Sequence, residues 1–106
     1  MTNLPEINDR TRTEIEAAAF RKMLEHFQKH PEVQNIDLMN LGYFCRNCFS
    51  KWYMGAANDQ GIELDTDQAR EIIYGMPFAE YKAKYQGNAS EDQLTKFESS
   101  KTKATE

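Results

Sequence analysis

Residues 33–61 read VQNIDLMNLGYFCRNCFSKWYMGAANDQG, and this stretch decides the fold. It holds both cysteines and the single tryptophan of the chain. Leu38, Leu41, Cys45, Cys48 and Trp52 recur at steps of three and four, with Phe49, Tyr53 and Ala56 widening the stripe. That spacing places one apolar face on an α-helix. Asn35 or Asp37 suits its N-cap, and Gly61 suits its stop after about Gln60. Gly42 and Gly55 each cost a helix interior about 1 kcal/mol against alanine. Two readings of Gly42 stay open. Either another helix packs closely there, or the helix breaks and its continuous part starts later, near Leu41 with Asn40 as cap. On either reading Trp52 belongs to the buried face, where losing a fully buried ring costs roughly 3–5 kcal/mol.

Working outward, residues 1–12 show no periodicity and read as an irregular lead-in. Thr13 and Glu16 have capping-box spacing for a first helix. Ile15, Ala19, Phe20, Met23, Leu24 and Phe27 form its stripe, and Pro31 ends it, because the residue before a proline is pushed out of helical geometry. On the other side, Asp65 and Gln68 repeat the cap, Ala69, Ile72 and Ile73 face inward, and Gly75 closes the helix. Met76-Pro77 starts a further helix with Phe78, Tyr81 and Tyr85 on its apolar side. Ser90 and Gln93 cap a short last helix carrying Leu94 and Phe97, and residues 101–106 read as a mobile tail. No alternating strand pattern occurs. The expectation is an all-α, single-domain bundle of about five helices over residues 13–100, with a long central helix carrying the C-x-x-C.

Composition bounds the function. The 106 residues carry a formal net charge of −4, and neither half of the chain is basic. This argues against a nucleic-acid partner, which demands a basic stripe. No run of about 18 apolar residues is present to span a membrane. The N-terminal residues lack the apolar core of a secretory signal. Two cysteines without such a signal point to a reducing cytoplasm and against a structural disulfide.

The run VQNIDLMNLGYFCRNCFSKWY, followed by REIIYGMPFAEYK, resembles the bacterial family catalogued as domain of unknown function 1244. The likeness extends from about Ile15 to Phe97. It implies a small helical bundle from a bacterium and brings no activity with it.

Cys45 and Cys48 support three readings. Free cysteines pack well as small hydrophobes, so both suit a core. Alternatively, His26 and His30 add an H-x3-H pair, and the four residues are chemically right for a tetrahedral zinc site. At 1.5 Å rise per residue, the two pairs lie level only if the second helix starts near Leu41, or if a second chain contributes. The third reading is thiol redox chemistry, with Cys45 as nucleophile and Cys48 as resolver. A reactive C-x-x-C normally opens a helix, and the βαβ surroundings of thioredoxin-like proteins are missing here.

Other catalytic signals are faint. Asp37 and Asn40 stand one turn apart and read as capping groups. A dyad of either cysteine with His26 has neither an orienting third group nor an oxyanion site. The chain points away from an enzyme. Its 12 aromatic residues are generous for five helices, and a helix apolar on two faces is either fully wrapped or shared with a partner, most commonly as a symmetric homodimer.

Overall fold

A computed structural model describes residues 3–104. Among them are six helices and no strand: α1 (Asp9–Lys29), α2 (Asn35–Gly42), α3 (Arg46–Asp59), α4 (Thr66–Tyr74), α5 (Phe78–Tyr85) and α6 (Glu91–Ala104). No helix of the described residues is long and apolar enough to cross a membrane.

Each boundary has a local cause. Helix α1 starts earlier than the Thr13 spacing predicts, because the Asn8 side chain accepts the Thr11 N–H at 2.8 Å. Residues 9–12 therefore belong to the helix, and residues 1 and 2 lie outside the described residues. Pro31 leaves His30 non-helical at φ −124°, ψ 59°. Asp65 and Gln68 close a reciprocal capping box at 2.8 and 3.0 Å, and Ser90 and Gln93 do the same for α6. Gly75 ends α4 at φ 74°. The residues expected to form a tail continue α6 to Ala104, and Ser100 is buried against α2, where its hydroxyl donates to Asn40 Oδ1 at 3.0 Å. Residues 105 and 106 lie outside the described residues.

The expected single long central helix is two helices. Tyr43 occupies the left-handed region at φ 62°, and its N–H bonds the Met39 carbonyl to close α2. Gly42 weakens the helix just before this joint. After two further residues Cys45 becomes the N-cap of α3. The break also ends the apolar phase that Leu38 and Leu41 share with Trp52. Leu41 is 87% exposed and Trp52 62% exposed, so Trp52 is not the buried anchor its spacing suggests. It stacks on Phe44 at the surface, with ring centroids 6.0 Å apart.

The core instead centres on Phe49, Ile73, Tyr74 and Tyr81, from α3, α4 and α5. Phe20, Leu24 and Phe27 of α1 lie across it. Phe20 meets Phe49 edge-on at 5.1 Å and stacks on Tyr53 at 6.1 Å. Helices α2 and α6 pack on each other. They are joined by side chains: Gln93 Nε2 donates to Asp37 Oδ1 at 2.9 Å, and Asn40 Nδ2 donates to the Gln93 carbonyl at 3.1 Å. Asp37 and Asn40 therefore dock α6, which explains two polar residues on an otherwise apolar run.

Candidate functional site: a dithiol at the start of α3

Arg46, between the two cysteines, fixes the start of α3. It is 2% exposed, and it points away from the thiols into the loop between α1 and α2. Its guanidinium donates to the carbonyls of Val33 at 2.6 Å and His30 at 2.9 Å, and to Asn35 Oδ1 at 3.1 Å. It also lies over the rings of Phe27 and Tyr81, 5.4 Å from each centroid. Asn35 passes the connection on by donating to the Tyr74 hydroxyl, which in turn donates to Asn47 Oδ1 at 2.7 Å. Burial raises the Tyr74 hydroxyl's pKa well above the ordinary phenol range, so it stays a neutral donor. Arg46 and Asn47 thus hold the first turn of α3 from both sides.

On this frame Cys45 sits at the N-cap and Cys48 one turn later. Cys45 is buried, Cys48 half-buried, and neither is in a disulfide. Burial pushes the Cys45 thiol up, while the backbone N–H groups of Cys48 and Asn47 pull it the other way. The neighbouring Cys48 thiol adds to the upward shift. Cys48 Sγ lies 3.9 Å from Met39 Sδ on α2.

A cleft of about 450 Å³ opens onto this pair, floored by Met39, Cys45 and Cys48 and walled by Trp52 and Phe97, with Lys51 and Lys101 also on its lining. Its neighbour, about 290 Å³, shares Met39, Cys45, Asn47 and Phe97 and continues between α2 and α6. The break at Gly42 and Tyr43 creates this space, since an unbroken helix would carry the thiols inside its own stripe.

His26 and His30 are elsewhere. Both are exposed near the end of α1, their rings 4.6 Å apart. The His30 carbonyl serves Arg46, and His30 Nδ1 lies 3.9 Å from the Glu32 carboxylate. Among the described residues no three or more His, Cys, Asp or Glu side chains converge as a metal would require. The break brings α3's start level with the end of α1, but the imidazoles and thiols do not form one ligand set. Met39, Asn47 and Phe97 escaped the sequence reading. Met39 and Asn47 lie outside the apolar stripe and the cysteine pair, and Phe97 lies 49 residues from Cys48 with only a short helical pattern around it.

A family model described as "Protein of unknown function (DUF1244)" matches residues 33–99. The chain belongs to this family. No curated protein matches it. The DUF1244 match begins after both histidines and contains Met39, Cys45, Cys48, Trp52 and Phe97. Every side chain of the dithiol cleft except Lys101 and Ala104 lies within it.

Proposed function

We propose that this DUF1244 protein is a thiol–disulfide exchange protein, and that Cys45 and Cys48 are its working pair. The observation that carries this reading is the placement of two thiols one helical turn apart, at the N-cap and third residue of α3, on the lining of one open cleft. A helix start supplies unpaired N–H groups and the positive end of the dipole to a developing thiolate. The roles are the reverse of those the order of the residues suggests. Cys48, the more accessible sulfur, attacks as a thiolate one sulfur of a partner disulfide. The partner S–S bond breaks, and its leaving sulfur departs as a thiolate that takes up a proton. Cys45 then gives up its proton and attacks the Cys48 sulfur of the mixed disulfide. The second partner sulfur leaves, and Cys45–Cys48 is closed. The partner gains two electrons and the chain loses two. Such cycling needs a reducing compartment, for which the cytoplasm is the natural place. Cys45→Ser should trap a mixed disulfide with glutathione on Cys48, whereas Cys48→Ser should trap none. Trapping at Cys45 alone would overturn the assignment of roles.

A zinc centre built on Cys45, Cys48, His26 and His30 is not supported by the ligand geometry. Self-association has an observation in its favour. No residue of α1 is fully buried, and beside the partly buried Phe20, Leu24 and Phe27, Ile15 and Met23 are 54% and 43% exposed along it. The radius of gyration, 16.2 Å, exceeds the roughly 13 Å usual for about 100 residues. A homodimer sharing α1 would sediment at twice the chain mass at micromolar concentration. A monomer over that range would leave only the outer face of α1 to solvent.

A further inference from the structure

The thiols have a third sulfur beside them. We propose that Cys45, Cys48 and Met39 form a three-sulfur site for Cu(I). The inference rests on the same dithiol as the exchange reading but asks something different of it. Met39 is 6% exposed, as is Cys45, so the thioether is held in place by its surroundings. Its sulfur stands 3.9 Å from Cys48 Sγ, and Cys45, one helical turn before Cys48, lines the same cleft as both. A metal–thiolate bond is about 2.3 Å long, so three sulfurs around one trigonal ion stand about 4 Å apart. The Met39–Cys48 spacing already matches that of a trigonal site, and Cys45 supplies the third sulfur from the same cleft.

Chemistry selects the ion. Two thiolates and a thioether are soft ligands and favour Cu(I), whereas hard divalent ions want carboxylate, carbonyl and water. Among the described residues no carboxylate or imidazole converges on the pair, which also disfavours zinc's four-ligand shell. Binding exchanges one Cu(I) for two thiol protons and leaves one net negative charge. Lys51 and Lys101 line the same cleft and offset that charge. The cleft admits the ion and its carrier from the solvent side, as a site that passes the ion on would require.

The test is an anaerobic titration of the reduced full chain with Cu(I) against a chromophoric Cu(I) chelator, with X-ray absorption on the loaded protein. One Cu(I) per chain is expected, with three sulfur scatterers and no nitrogen shell. Outer-sphere changes alone weaken metal sites about tenfold to a hundredfold. Met39→Leu, close to isosteric and checked by circular dichroism for an intact fold, should therefore weaken binding by at least about tenfold. Cys48→Ser should weaken it further, and His26→Ala should not change it. Equal affinity in wild type and Met39→Leu would overturn the site, as would a nitrogen shell lost in His26→Ala. A chain that exchanges disulfides yet takes no Cu(I) overturns this proposal alone. One that holds Cu(I) on three sulfurs without exchanging disulfides supports it and overturns the exchange reading instead.

Discussion

Arg46 offers the sharpest test of how the site is held. Its guanidinium is buried with no carboxylate beside it among the described residues. Three bonds satisfy it, to the Val33 and His30 carbonyls and the Asn35 side chain at 2.6–3.1 Å, and two aromatic faces sandwich it at 5.4 Å. Hydrogen bonds to a charged group each contribute about 1.5–3 kcal/mol, and a desolvated cation–π contact up to about 2 kcal/mol. These contributions overlap, and burying the cation opposes them. Arg46→Ala also leaves the carbonyls of the α1–α2 loop unpaired, so a net loss of about 3–5 kcal/mol is expected. That is a large share of a small domain's stability of about 5–15 kcal/mol, and it lowers the melting temperature by more than about 10 °C. Arg46→Lys should recover less than half, because one ammonium cannot reach three acceptors in the fork's geometry. Urea unfolding followed by far-UV circular dichroism measures both. A loss below about 1 kcal/mol in Arg46→Ala would refute the claim that this residue anchors the first turn of α3.

Four other outcomes follow from the same structure. Trp52→Ala should cost only about 1 kcal/mol, the scale of its stacking on Phe44, and a loss above about 3 kcal/mol in urea unfolding would show the ring to be buried. Gly75→Ala should destabilise by about 1–2 kcal/mol, because φ is 74° and the new Cβ would stand 3.0 Å from the Gln28 amide carbon; an unchanged melt would contradict this. Asn40→Ala should release α6 by removing bonds to Gln93 and Ser100, about 1–2 kcal/mol, seen as faster amide exchange in α6 than in α4. Burial raises the folded-state pKa of Cys45 and Tyr74, so the unfolded chain loses these protons first as pH rises. Their contribution is full below the ordinary thiol value of about 8.5 and is lost above it, with a second decline beyond about pH 10 from the tyrosine. Urea midpoints at pH 7, 9 and 10.5 should fall in order, the first step vanishing in Cys45→Ala; a midpoint that holds steady to pH 10.5 would refute the shifts.

What the sequence revealed and concealed divides along physical lines. Caps were legible because they are local. Asp65 with Gln68, Ser90 with Gln93, and Gly75 each act within a turn of their own position, and the helical class follows from such features together with the apolar spacing. The break after Gly42 was open because glycine only weakens a helix. It is Tyr43 that takes the left-handed conformation, and a tyrosine gives no warning of that. Once the phase is lost there, the stripe joining Leu38 to Trp52 no longer describes one surface, which is why Trp52 and Leu41 lie exposed. Arg46 is buried through partners 11 to 16 residues back in the chain, and periodicity assigns a charged residue to solvent. The thiols were visible as a pair, but their place at a helix start, and Met39 beside them, depend on that turn and on the docking of α6.

The reading of Cys45 and Cys48 as a working dithiol is tested most directly by equilibrating the native protein with glutathione buffers spanning reducing to oxidising poise. The two thiols are then alkylated and the protein mapped by mass. A reversible, monomeric Cys45–Cys48 disulfide is expected, with a single two-electron midpoint and a change in Trp52 fluorescence at the cleft wall. Two thiols that stay reduced at every poise, or that oxidise only between chains, would contradict it.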